Sequence, residues 1–381
     1  MKRHTNYMTR PTLDNWLLPE NTFWSFRHVR ELIPTAQIDC AKSPRVLNQQ
    51  IRTELGEISI ETHDGVKKIS DFLSSTNTDS FTAVKGEDLV FEWLAPGVSD
   101  VEPHLIFSVT KSFTGMLVGA LVQEGKIDVD ALVTKYVPEI ADSGFGDATV
   151  RNLLDMAASY QFEEDYTPGP DIIAYRHSVG WYPAPLGAPN LHDFIASRKK
   201  EGEHGQVFRY MSPTTDLVGW VNEAASGMPY AQALSKYIWS KIGTEAPAHI
   251  TVDRTGAPRA AGGLSAIPRD LVRFGMMIRD DGMGAIDPEF MRDVYENGSA
   301  QQWATGDFKD FFEKGVYRSF CYRPGIDPDV IMGIGIHGQM LYVDRPRGVV
   351  VAKQSSWPNP DSEEMHLDAF HACQAISRAL G

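Results

Sequence analysis

Apolar positions change their spacing four times along the chain. Ile58-Ser59-Ile60-Glu61 and Leu89-Val90-Phe91-Glu92-Trp93-Leu94 partly alternate, the second ending at Pro96-Gly97, and predict strands. A helix is predicted over Thr22–Leu32, capped by Thr22 and stopped before Pro34. From Ser108 to about residue 245 helical spacing takes over. Phe113, Met116, Leu117, Val118 and Leu121 mark a buried helix, and Val150–Ala157, Thr215–Ala225 and Tyr230–Ile242 read as further helices. The stretch Tyr166–Asn190, rich in proline and aromatic residues, reads as an irregular but ordered wall. Leu264–Asp280 is predicted helical, with Pro268 in its first turn. Strands return at Gly315–Tyr322, Val330–Ile336, Gln339–Val343 and Val349–Lys353, before a last helix from about Ser362 to Leu380.

Strands at both ends with helices between them predict an α+β fold: an antiparallel sheet built from the N- and C-terminal segments, flanked by helices, plus an inserted, mainly helical domain. The expected boundaries are 1–107 with 255–381 for the sheet domain and 108–254 for the helical one. The site is expected at their junction.

Composition narrows the function. The chain has 381 residues, 42% hydrophobic and 23% charged, enough for a sizeable core. A formal net charge of -14 argues against a nucleic-acid partner. No apolar run is long enough to span a membrane, and Met1-Lys2-Arg3 is not followed by the apolar segment of a secretion signal, so a cytoplasmic location is expected. Cys40, Cys321 and Cys373 are too few and too far apart for a disulfide framework or zinc cluster. His366 and His371 are poorly spaced for a shared metal, and no cofactor is expected. Gly333-Ile334-Gly335-Ile336-His337-Gly338 has GxGxxG spacing, but the alternating Gln339–Asp344 follows where a dinucleotide site needs a helix. These glycines instead predict a strand that a ligand approaches closely, with an exposed N–H able to serve an oxyanion.

The chemistry sits at Ser108-Val109-Thr110-Lys111. Residues i and i+3 share a helix face, so the lysine amine reaches the serine hydroxyl, and the helix start adds positive partial charge there. An amine buried among apolar residues loses basicity and can act as a base. A second copy, Ser197-Arg198-Lys199-Lys200, lies in a polar stretch and reads as surface. Tyr210-Met211-Ser212 offers a tyrosine to carry a proton, and His337 is a candidate pocket residue.

Together, the SxxK at 108–111, the YxS at 210–212 and the glycine-rich strand at 333–336 resemble the serine beta-lactamase and penicillin-binding superfamily. Trp24-Ser25-Phe26-Arg27-His28, Leu153-Leu154-Asp155-Met156, Glu164-Asp165-Tyr166, Gly180-Trp181 and Gly335-Ile336-His337-Gly338-Gln339 are more similar to the 6-aminohexanoate-dimer hydrolase and carboxylesterase-like group. The resemblance implies an acylated Ser108, a proton network of Lys111 and Tyr210, and an oxyanion hole from the amides of Ser108 and Ile336. It also implies substrate contacts from Tyr166 and Trp181. No lysine precedes Gly335 to grip a substrate carboxylate. Arg176 or His177 stands where amide-cleaving members carry an acid, so neutral or anionic acyl substrates are expected. The reading is a carboxylesterase-like serine hydrolase acting on a small ester or amide, with no nucleic-acid or membrane partner. The alternatives are an amide hydrolase of the 6-aminohexanoate-dimer type, a beta-lactamase or DD-peptidase-like enzyme, and a non-catalytic binding homologue.

Overall fold

The computed structural model describes residues 10–165, 169–326 and 329–381. Its main sheet has eight strands lying side by side in the order Val316–Arg318, Cys321–Arg323, Val330–Gly335, Gln339–Asp344, Val349–Ser355, Thr78–Lys85, Asp88–Leu94 and Asn48–Gln49. All neighbours are antiparallel except the last pair, where Asn48 and Gln49 run parallel to Asp88 and Leu89. The C-terminal strands therefore join the N-terminal ones at Val349–Ser355 against Thr78–Lys85, with Val350 opposite Val84 and Ala352 opposite Thr82. Both of these central strands are buried almost throughout, including polar residues such as Asp79, Thr82, Lys353 and Gln354. Helices Pro268–Arg279 and Glu363–Ala379 pack on this sheet. The fold is α+β, with a sheet made from both ends of the chain.

A second, four-stranded sheet joins Thr35–Ile38, Ala248–Thr251, Leu264–Ala266 and His104–Leu105. It was not foreseen, because its strands are two to four residues long and scattered through the sequence. Leu264–Ala266 was expected to begin a helix. The residue before a proline is pushed to extended backbone, as Ile267 is at ψ 153°, so the helix starts at Pro268 and the three preceding residues pair as a strand. Part of the irregular wall is also helical: Pro170–Ser178, with Pro170 at its first position, where the missing N–H costs nothing. The helix expected over Thr22–Leu32 stops at Ser25. There the Arg27 and His28 side chains donate to the carbonyls of Phe23 and Trp24, taking acceptors that helical N–H groups would need.

The helix Thr110–Gln123 runs through the interior, buried from Thr110 to Leu121. Two glycines let it pack so tightly. A Cβ on Gly115 would stand 2.4 Å from the Ser319 carbonyl oxygen, and one on Gly119 would stand 2.6 Å from Ile286 and Phe290. Among the described residues no helix is long and apolar enough to cross a membrane. Nor do three or more His, Cys, Asp or Glu side chains gather as a metal site among them.

Candidate active site

Ser108 lies in a short 3-10 turn, Phe107–Val109, that feeds directly into the buried helix. Lys111 follows one turn later, 1% exposed, with Nζ 2.9 Å from Ser108 Oγ. Two more oxygens surround the amine: Ser212 Oγ at 3.0 Å and the Ala261 carbonyl at 2.9 Å. The Tyr210 ring lies 4.8 Å from Nζ, and the Tyr210 hydroxyl bonds to Ser108 and to Tyr322. The structure thus brings Ser108, Lys111 and Tyr210 together from two segments a hundred residues apart.

The hydrogen bonds around Lys111 have a direction. Glu164 accepts both the backbone N–H of Ser212, at 2.6 Å, and its hydroxyl, at 2.5 Å. With its own proton committed to Glu164, Ser212 Oγ can only accept from Lys111. The Ala261 carbonyl can also only accept. A neutral amine has two N–H bonds and one lone pair, so both protons are used and the lone pair is left to face the Ser108 hydroxyl. Burial lowers the Lys111 pKa from 10.5 to about 7, a shift opposed by the charges of Glu164 and Asp216 and reinforced by that of Arg259. Burial and the nearby Glu164 charge push the Tyr210 hydroxyl up, so it stays protonated and can donate.

Strand Val330–Gly335 runs past this centre at very short range. A Cβ on Gly335 would stand 2.8 Å from the Ile106 carbonyl oxygen and 3.0 Å from the Ser108 nitrogen, and one on Gly333 would stand 3.1 Å from Ser112 Oγ. The strand glycines were expected to admit a ligand. Their small size instead admits the turn that carries Ser108. Ile336 follows directly and lines a cavity of about 250 Å³ together with Tyr210, Phe308, Phe311, Tyr322 and His366. Four carboxylates stand on the same wall: Asp307, Asp310, Asp361 and Glu363.

The other anticipated residues fall elsewhere. Trp181 is buried, its ring 5.8 Å from Phe107 and its Nε1 donating to Thr251 Oγ1 at 3.0 Å. Arg176 donates to the Tyr182 hydroxyl at 2.6 Å, and the His177 ring lies 6.1 Å from the same tyrosine. Neither basic residue is on the cavity wall, which is acidic instead. His337 is only 3% exposed, packed on Phe26 and Phe107, with Nδ1 2.6 Å from the Trp357 carbonyl oxygen, so it supports the wall from behind. Tyr166 lies outside the described residues. In the second SxxK copy, Ser197 and Lys199 are exposed, and Lys200 pairs with Asp147. Sequence reasoning missed Glu164, Ser212 and Ala261 as partners of Lys111. Glu164 and Ser212 stood inside quoted motifs without a role, and a backbone carbonyl such as that of Ala261 leaves no signal in residue identity.

Comparison with known proteins agrees with this geometry. The beta-lactamase family model matches residues 75–375. A 6-aminohexanoate-dimer hydrolase from Paenarthrobacter ureafaciens is 34% identical over 376 residues, covering 97% of this chain and 94% of the relative. A solved structure from Bacillus anthracis, provisionally assigned the same hydrolase name, superposes with a TM-score of 0.88 at 24% identity over 99% of this chain and 98% of its own. A family VIII carboxylesterase shares the fold at TM-score 0.57 and 14% identity, over 80% of this chain and 96% of its own. The chain belongs to the beta-lactamase family and is a hydrolase of the serine type.

Proposed function

We propose that this protein cleaves small amides and esters through an acyl-enzyme on Ser108, and that it favours substrates carrying a cationic group in the portion expelled. The observation that carries the reading is the directed bonding of Lys111, which aims its lone pair at Ser108 Oγ. Lys111 takes the hydroxyl proton as Ser108 Oγ attacks the carbonyl carbon. The oxyanion formed meets the amides of Ser108 and Ile336, a stabilisation of about 3–4 kcal/mol per donor in comparable sites. As the C–N or C–O bond breaks, Tyr210 gives its proton to the leaving atom and recovers one from Lys111. Water then attacks the acyl-enzyme, passes a proton to the same pair and returns Ser108 to its hydroxyl form.

The substrate class follows from the cavity wall. Tyr210 stands on it beside Ile336, which suits this wall to the portion of the substrate that Tyr210 protonates. The aromatic rings of Phe308, Phe311 and Tyr322 suit an alkyl chain, and Asp307, Asp310, Asp361 and Glu363 suit a positive end. The identity with a 6-aminohexanoate-dimer hydrolase favours amides over the carboxylesterase reading; such a dimer carries its ammonium on the acyl portion, so the charge preference rests on the cavity wall alone.

A fluorophosphonate label combined with a substrate pair tests this. Ser108→Ala abolishes labelling and turnover, whereas Ser197→Ala keeps both. An N-(aminoalkyl) amide should exceed its N-alkyl counterpart in kcat/KM, and the gap should narrow several-fold in Asp310→Asn/Asp361→Asn, since exposed charge pairs contribute about 0.2–1 kcal/mol each. Labelling that survives in Ser108→Ala overturns the nucleophile. Equal rates for the two amides overturn the substrate class.

A further inference from the structure

We propose that Asp216 and Arg259 form a positioning unit for the Lys111 amine, holding the Ala261 carbonyl on Nζ and balancing the charge around it. Nothing in the sequence motifs points to either residue. Asp216 lies four residues after Ser212 on helix Ser212–Ser226, on the same face, and is 2% exposed. Its Oδ1 accepts the Ala261 backbone N–H at 2.8 Å. Its Oδ2 accepts Arg259 Nη1 at 2.8 Å and the Tyr175 hydroxyl, which also bonds to Arg259. Residue 261 is thereby held through both of its peptide groups: its N–H on Asp216, its C=O on Lys111. The turn that carries it is fixed by the amides of Gly262 and Gly263 on the Arg259 carbonyl, at 3.1 and 2.8 Å.

The pair also acts through charge. The groups facing Lys111 are Ser108 from its own chain segment, Ser212 and Asp216 from helix Ser212–Ser226, Tyr210 just before that helix, Glu164 behind Ser212, and Arg259 from the turn. Glu164 and Asp216 favour the ammonium form, and Arg259 disfavours it. Arg259 and Asp216 are both buried, at 7% and 2% exposure, so solvent screens their fields weakly. Their charges act on the amine in opposite directions. Removing one leaves the other uncompensated, and the two removals act in opposite directions. Arg259 is also placed for this, its guanidinium 4.5 Å from the Tyr175 ring and 5.2 Å from the Trp181 ring, which keep it out of bulk water.

The inference rests on Lys111 acting as the base for Ser108, and the experiment separates the two. The pH profile of kcat/KM for a neutral ester is measured in the wild type and in Asp216→Asn, Arg259→Met and Arg259→Lys. Turnover rises with pH as the Lys111 ammonium loses its proton, so the acidic limb reports that group. Asp216→Asn should move the limb to lower pH by about half to one unit, and Arg259→Met should move it up by a similar amount. Arg259→Lys keeps the charge, so the limb should stay while the plateau falls. If Asp216→Asn fails to fold, the contrast between Arg259→Met and Arg259→Lys carries the test. A limb that stays fixed in every folded variant while only the plateau drops overturns the inference, because a purely structural role lowers activity equally at all pH. Loss of the base reading looks different: Lys111→Ala would then retain wild-type turnover.

Discussion

Phe107 and His337 pack ring against ring with centroids 5.1 Å apart, and both hold left-handed backbone, at φ 43° and 60°. One precedes Ser108 and the other follows Ile336, so the two unfavourable conformations flank the two amides assigned to the oxyanion. Such conformations cost about 1–3 kcal/mol each and persist only where surrounding packing imposes them. Here Phe26 contacts both rings, at 4.8 and 4.9 Å, and Trp181 adds to Phe107.

This relationship predicts the behaviour of His337→Ala. The variant keeps the strained backbone but loses the ring contact and the bond to the Trp357 carbonyl. Stability should fall by about 2–4 kcal/mol, and kcat of the folded fraction by about tenfold or more with KM little changed. His337→Asn, which tolerates left-handed backbone better, should lose less of both. Steady-state kinetics corrected for folded fraction decides the point. A rise in KM alone would return His337 to the role of substrate contact.

Gly335→Ala should be more damaging than its size suggests. The added Cβ meets two backbone atoms, the Ile106 carbonyl oxygen at 2.8 Å and the Ser108 nitrogen at 3.0 Å, and backbone cannot swing aside. The strand and the serine turn must separate, at a cost of about 1–3 kcal/mol. Turnover should drop by about a hundredfold, the loss expected for one misplaced oxyanion donor. Near wild-type kcat would show that the amides are not aligned by this contact.

Lys111→Arg tests the proton acceptor directly. An arginine cannot release its proton near neutral pH, so Ser108 acylation should fall by about three orders of magnitude or more across pH 5–9. In the wild type, acylation should rise through about pH 7 as the amine becomes neutral. Stopped-flow release of p-nitrophenol at several pH values measures both. An arginine variant that acylates with the wild-type profile would make Lys111 an electrostatic group only.

Tyr210→Phe removes one hydroxyl and leaves the packing against Phe308 and Tyr322 in place. An amine must be protonated as it leaves, whereas p-nitrophenolate departs unaided. The loss in kcat/KM should therefore be larger for an amide than for the matched p-nitrophenyl ester. Equal losses would assign Tyr210 to the activation of Ser108 instead.

Stability in acid should depend on His249, which is 4% exposed. Burial lowers its pKa from 6.5 to about 4, with Arg30 adding to the shift. The unfolded imidazole takes up a proton near pH 6.5 and the folded one only near 4. Above 6.5 neither state is charged and the site contributes no pH dependence. As pH falls from 6.5 to 4, stability is lost, up to about 3 kcal/mol from this site. His249→Gln should shrink the difference in urea-unfolding free energy between pH 7.5 and pH 4.5. An unchanged difference would mean that this histidine is already charged in the folded protein or exposed to water.

The sequence by itself determined the elements whose patterns are local and long. The buried helix after Ser108, the returning strands Val330–Gly335 to Val349–Ser355 and the last helix all lie where apolar spacing put them. It also separated the two SxxK tetrads, because apolar neighbours bury Lys111 and charged neighbours leave Lys199 in water. Tyrosine spacing carried less. Tyr-x-Ser occurs at 210–212 and again at 317–319, and only the fold decided that Tyr210 bonds to Ser108 while Tyr317 packs into the core. Short elements were illegible for the same reason: Leu264–Ala266 is a strand because His249 and Ile250 lie on one side of it and His104 and Leu105 on the other. The partners that tune Lys111 depend entirely on tertiary structure. The Ala261 carbonyl, the Asp216 and Arg259 charges and the acidic cavity wall are groups from distant segments. Their effect is set by separation and burial, and neither quantity exists until the chain has closed around them.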